Sequence, residues 1–336
     1  MRGGRWLGGA SVATLSLLIL LSVLLSGCGQ STQYSGPPLK MRIGFQPGAR
    51  STLIWVADKE GLFKKHGLAV TLRKYDVGFN ALKGLCAGES DVATGSEFAF
   101  ITNAVSNTDL RAMASIAEED TTSIVARRDR GIASPADLVG KRMAVTPGVI
   151  NQFFLGKFLT LNGINQNSVT VVYMDEASAR RAVEDGTVDA AVLFEPDVQE
   201  AKKALGSNGY TIDIQSGQAY FWLLVSRTSY INANKEAIRR LLATMVDAEH
   251  FTAAHPAAAR KDMQSGSGLS AALTGIIWQK YVFEVTLPQS LILAMEDEAR
   301  WMVENGLFGA KAVPDYLSYV YPEGLRQLDP QAVTIY

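Results

Sequence analysis

The chain has 336 residues, a formal net charge of −1 and 47% apolar residues. That balance lacks the basic excess that binds nucleic acid, and two cysteines give neither a disulfide framework nor a cysteine-based metal site. The length beyond the first apolar stretch, about 300 residues, exceeds a comfortable single core and favours two lobes.

Arg2 and Arg5 give a basic start, residues 6–25 are uncharged and mostly apolar, and the stretch ends Leu25-Ser26-Gly27-Cys28. Residues 1–27 therefore read as a lipoprotein signal peptide, ending where bacteria acylate a cysteine and cleave just before it. Cys28 becomes the lipidated first residue and residues 28–39 a flexible polar tether. An uncleaved membrane anchor fits the length too, but it does not require small residues before a cysteine. Acyl chains would hold the mature protein to a membrane, outside the cytoplasm.

From residue 41 the pattern is strand, turn, helix, repeated. Residues 41–45 read as a buried strand and Gln46-Pro47-Gly48 as a turn. Ser51 is placed to cap a helix running to Lys65, ended by Gly67. His66 sits at that basic helix end, where a cation suits the dipole. His250 and His255, five apart, do not share a helical face, so zinc is not expected. Strands follow at 68–75, 91–94 and 110–116, with helices at 78–87 and from Ser96. A new block opens near 122–127, and Ser134-Pro135-Ala136-Asp137 has the form of a helix start. Strands are expected at 142–145, 169–173 and 190–194, and helices at 149–162, 177–184 and 197–205. Residues 220–226 make a long apolar strand, and helices follow at 233–254, near 269–282 and at 288–305. The alternation predicts an α/β fold with largely parallel sheets.

Three segments resemble a known family. Glu60-Gly61-Leu62-Phe63-Lys64-Lys65-His66-Gly67-Leu68, residues 87–95, and Val188-Asp189-Ala190-Ala191 continuing to Glu195-Pro196 are similar to motifs of periplasmic substrate-binding proteins. The subgroup is the one for nitrate, sulfonates, taurine and the thiamine pyrimidine precursor. The resemblance implies a two-lobed periplasmic-binding-protein type II fold with two crossover hinge strands and a helical C-terminal segment. Carried onto this chain, lobe one is residues 40–123 and 224–336, and lobe two is 124–223 with crossovers near 124–127 and 221–226. It also implies a small-molecule ligand, an ABC permease with its ATPase as partners, and a monomer that performs no chemistry and carries no cofactor.

Ligands of open α/β sheets bind outside the carboxyl ends of strands. Five loops then face the cleft: 46–51, 77–80, 95–98, 146–152 and 194–196. The candidate ligand contacts are Gln46, Gly48, Phe79, Asn80, Ser96, Glu97, Thr146, Asn151, Phe194 and Glu195. Phe98, Phe153 and Trp222 add candidate stacking faces, whereas Trp55, Trp278 and Trp301 read as core. Acids outnumber bases in these loops, and Arg50 is the only base among those of the first lobe. The surplus leans toward a neutral or cationic ligand, such as a heteroaromatic ring stacked on Phe; the sulfonate- or nitrate-type anion of the family is the alternative. Two rivals share the fold: a sensory lipoprotein read by a membrane receptor, and a thiamine-pyrimidine synthase-like enzyme. The enzyme reading lacks the cysteine-rich stretch and cleft histidine that it would need.

Overall fold

Eleven strands organise a computed structural model whose described residues are Met1, Tyr34, 36–215, 217–309 and 311–335. The leader, the tether and Cys28 lie largely outside them. The strands are β1 Leu39–Phe45, β2 Leu68–Lys74, β3 Val92–Ser96, β4 Leu110–Glu119, β5 Thr122–Arg127, β6 Arg142–Val145, β7 Thr170–Tyr173, β8 Ala190–Phe194, β9 Gly209–Asp213, β10 Tyr220–Arg227 and β11 Tyr281–Val282. They form a six-stranded sheet, β11-β4-β10-β3-β1-β2, and a five-stranded sheet, β7-β6-β8-β5-β9.

The sheets are mixed, which corrects the expectation of largely parallel ones. β1 runs parallel to β2 and β3, and β6 to β7 and β8. However, β10 is antiparallel to β3 and β4, and β5 to β8 and β9. The reversals occur where the chain changes sheet: a strand arriving from the other sheet has no crossover helix to restore its direction. Those changes fall at Asp120–Thr121 and at residues 214–219. The expected crossover segments, 124–127 and 221–226, are ordinary strand members, so all of β10 belongs to the first sheet.

Gln215 fastens the two passages together. It is buried, and its amide oxygen accepts the Thr121 and Thr122 N–H groups at 2.7 and 2.9 Å. Its amide nitrogen donates to the carbonyls of Glu119 (2.9 Å) and Gln218 (3.2 Å). One side chain thus bonds four backbone groups at the two passages.

Local chemistry explains most element ends. Asp175 caps helix Glu176–Asp185 by accepting the Ser178 N–H, and Gly186 closes it at a φ of 83° that a side chain would resist. The expected helix 51–65 is broken into a 3-10 turn (Ala49–Ser51), Thr52–Lys59 and Leu62–Lys65, because Gly61 takes a left-handed φ of 68°. Ser51 does not cap it; its hydroxyl donates back to the Gln46 carbonyl at 2.8 Å. Ser134 and Asp137 do form a capping box, over a short 3-10 turn, Pro135–Leu138. A continuous apolar core runs through the first sheet, its helices and the inner face of the second. A smaller core around Val125, Val183 and Leu193 covers the second sheet's other face. No helix among the described residues is long and apolar enough to cross a membrane.

Candidate functional site

The segments after β1, β2, β3, β6, β7 and β8 converge on a cavity of about 360 Å³, lined from both sheets. Gln46, Phe79, Ser96, Thr146, Phe194 and Glu195 line it, as the strand-end rule predicts. Gly48, Asn80, Glu97 and Asn151 do not, and each has a local occupation. The Gly48 carbonyl accepts the Trp55 indole N–H (3.3 Å), and the Asn80 amide donates to Asp76 (2.8 Å). Glu97 is buried and accepts the Phe221 N–H at 2.9 Å, while the Asn151 amide donates to the Val192 carbonyl at 3.3 Å. Phe153, proposed for stacking, instead packs on Phe154 and Trp301 in the core.

Five rings make the walls: Phe79, Phe98, Phe194, Tyr220 and Trp222. Phe194 and Tyr220 stack, with centroids 6.1 Å apart and an interplanar angle of 15°. Tyr220 and Trp222 share one face of β10 through the period of two, and Trp222 sits opposite Ser96 in the register. Helix Gly78–Cys86 brings its first residue so close that a Cβ on Gly78 would lie 2.4 Å from the Trp222 ring.

Arg50 is the cationic side chain among the lining residues. Its guanidinium lies 3.2 Å from Glu119 and 4.8 Å from the Trp222 ring centroid. Phe194 and Tyr220 stand 5.5 and 5.7 Å from it. Burial works against the Arg50 charge, but Glu119, Tyr281, Tyr220 and Glu176 together outweigh it and hold its pKa above the ordinary value. Burial raises the Glu119 carboxyl, with Arg50 opposing.

The opposite wall is acidic: Asp175, Glu176, Glu195 and Asp197. Asp175 is the helix cap, and Asp197 pairs with Arg180 at 2.8 Å. Glu195 Oε1 accepts the Gln199 amide at 2.8 Å, with Lys280 at 3.8 Å, whereas its buried Oε2 has no hydrogen-bond partner among the described residues. Glu176 accepts the Phe194 N–H at 3.2 Å. Burial, then the charge of Asp197, push Glu176 up to about 7.

A larger hollow of about 670 Å³ lies among Lys157, Phe221, Leu293, Asp297 and Arg300. It is reached from the other face of β10, and its charged rim pairs within itself, Lys157 with Asp297 at 3.7 Å and Arg300 with Asp297 at 3.6 Å.

A family model described as NMT1/THI5 like matches residues 49–259. The chain belongs to the NMT1/THI5-like family. Among its relatives, a protein of Brucella abortus (strain 2308) whose name states no ligand is 26% identical over 222 residues, 65% of this chain and 68% of that one. The taurine-binding periplasmic protein of Escherichia coli (strain K12) is 23% identical over 309 residues, 85% of this chain and 93% of its own length. In fold, this family member is similar to the periplasmic aliphatic sulphonate binding protein SsuA of Escherichia coli. The TM-score is 0.73 at 20% identity, covering 84% of this chain and 98% of SsuA. The two-sheet arrangement is the periplasmic-binding-protein fold.

Sequence reasoning missed Tyr220 and Glu176 as cavity walls. Tyr220 begins a strand instead of following one, so the strand-end rule passes over it. The alternation Tyr220, Trp222 was the available signal. Glu176 opens the helix after β7, and its contact with the Phe194 N–H joins segments 18 residues apart.

Proposed function

We propose that this protein is an extracytoplasmic solute-binding protein of an ABC importer. It captures a small molecule in the 360 Å³ cavity and presents it to a membrane permease driven by an ATPase. The observation that carries the reading is one cavity walled by strand-end loops of both sheets, around two passages fastened by Gln215. Two halves so joined open and shut about those passages, and closure follows because the ligand binds the shut state better. The sulfonate- and taurine-binding relatives support a binder over an enzyme. In this reading each sheet is the core of one lobe, Cys28 carries the lipid after removal of residues 1–27, and the mature protein acts as a monomer.

A thermal-shift screen of small solutes tests it. A true ligand at a hundred times its dissociation constant adds about 2.7 kcal/mol of stability. Small-angle scattering should then record a smaller radius of gyration with ligand. A hit that stabilises the protein but leaves its dimensions unchanged would remove the closure step.

A further inference from the structure

The walls of the cavity specify the charge of its occupant. Resting on the solute-binding reading above, we infer that the cavity takes a small organic cation, an amine or amidine carried on a flat ring, and not a sulfonate or other anion.

Arg50, the cation that an anion would seek, is already engaged. Glu119 stands 3.2 Å away and is buried, Arg50 is largely shielded from water, and the guanidinium lies over the Trp222 ring. An entering anion would have to displace Glu119 into an apolar interior, which is unfavourable. The charges around the cavity do not balance either. Glu119, Asp175, Glu176, Glu195 and Asp197 stand against Arg50, Arg180 and Lys280, an excess of two carboxyls, and Arg180 is also shared with Glu184.

Unmet hydrogen-bonding capacity points the same way. Glu195 is 7% exposed, and its buried Oε2 accepts nothing among the described residues. A buried carboxylate oxygen without a donor is costly, and an ammonium or amidinium N–H supplies one. Trp222 is 2% exposed and its indole N–H likewise lacks an acceptor, which suits a ring carrying a nitrogen or oxygen lone pair. The faces of Phe194, Tyr220 and Trp222 attract both a flat ring and a positive charge.

Glu176 supplies an independent readout. It faces Asp197 on its own side of the cavity and Arg50 and Glu119 from the other, with Asp175 and Glu195 on the same wall. Its carboxyl titrates at about 7. A bound cation favours the ionised form and a bound anion the neutral form, so affinity for a cation rises with pH through neutrality and affinity for an anion falls.

The test is calorimetric titration of the purified full chain with benzylammonium, benzyl alcohol and phenylmethanesulfonate at about pH 6 and about pH 8. Benzylammonium should bind about tenfold or more tightly than phenylmethanesulfonate, and more tightly at the higher pH. Glu195→Gln should weaken benzylammonium by about tenfold while keeping the thermal midpoint, and Glu176→Gln should remove the pH dependence. If Glu195→Gln does not fold, the sign of the wild-type pH dependence decides alone. Preferred binding of phenylmethanesulfonate, or a solute screen that returns only anions, overturns the cation assignment and leaves the solute-binding reading standing. A screen in which no solute of any charge stabilises the protein overturns both.

Discussion

At the scale of single residues, the chain keeps several carboxyls out of water, and they set its response to pH. Glu298 is fully buried, and neither carboxyl oxygen has a hydrogen-bond partner among the described residues. Burial first, and then the neighbouring charge of Glu97, hold its pKa well above the ordinary 4.5. A carboxyl raised on folding contributes stability below about 4.5 and loses it as pH climbs toward the folded value, because the unfolded chain ionises and the folded one resists. Glu298→Met keeps the volume and removes that opposition. The variant should gain about 1 kcal/mol or more at pH 8 and little at about pH 4, as read from urea unfolding. A variant weaker than wild type at both pH values would mean that Glu298 has a partner that stabilises it.

At the scale of elements, close backbone approach sets the cavity wall. A methyl group on Gly78 would meet Trp222 at 2.4 Å and the Gly95 Cα at 3.0 Å. Gly78→Ala should therefore lose about 1–3 kcal/mol and turn the Trp222 indole, seen as a shifted emission spectrum and weakened binding. An unchanged spectrum with full stability would show that the helix slides away freely. Apart from β9, which was not expected, and β11, which falls where a helix was expected, element order was legible in the sequence because hydrophobic period and cap chemistry are local, as with Asp175 and Gly186. The direction of β5 and β10 was not, because nothing in those residues distinguishes a parallel neighbour from an antiparallel one. The strand-end rule found the loops holding Gln46, Phe79, Ser96, Thr146 and Glu195. It could not separate a side chain facing the cavity from one turned inward, as Glu97 and Asn151 are. The pairing of Arg50 with Glu119 joins the turn after β1 to the end of β4 and left no sequence trace.

At the scale of the molecule, the backbone crosses between the two sheets at Asp120–Thr121 and between Asp213 and Tyr220, while side chains such as Phe153 and Trp301 also pack across. Gln215→Leu would leave the Thr121 and Thr122 N–H groups buried without acceptors. The loss should reach about 2 kcal/mol or more. Hydrogen exchange at those amides should quicken before exchange in β1 or β8 does. Uniform protection in the variant would relocate the pivot.

Glu119 belongs to two devices at once. Its carboxylate holds Arg50 at the cavity floor, and its main-chain carbonyl receives the Gln215 amide. A guest that nudges the guanidinium therefore pulls on the same residue that anchors the pivot. On the proposed reading, a solute settling beside Arg50 would reach the joint through this one residue.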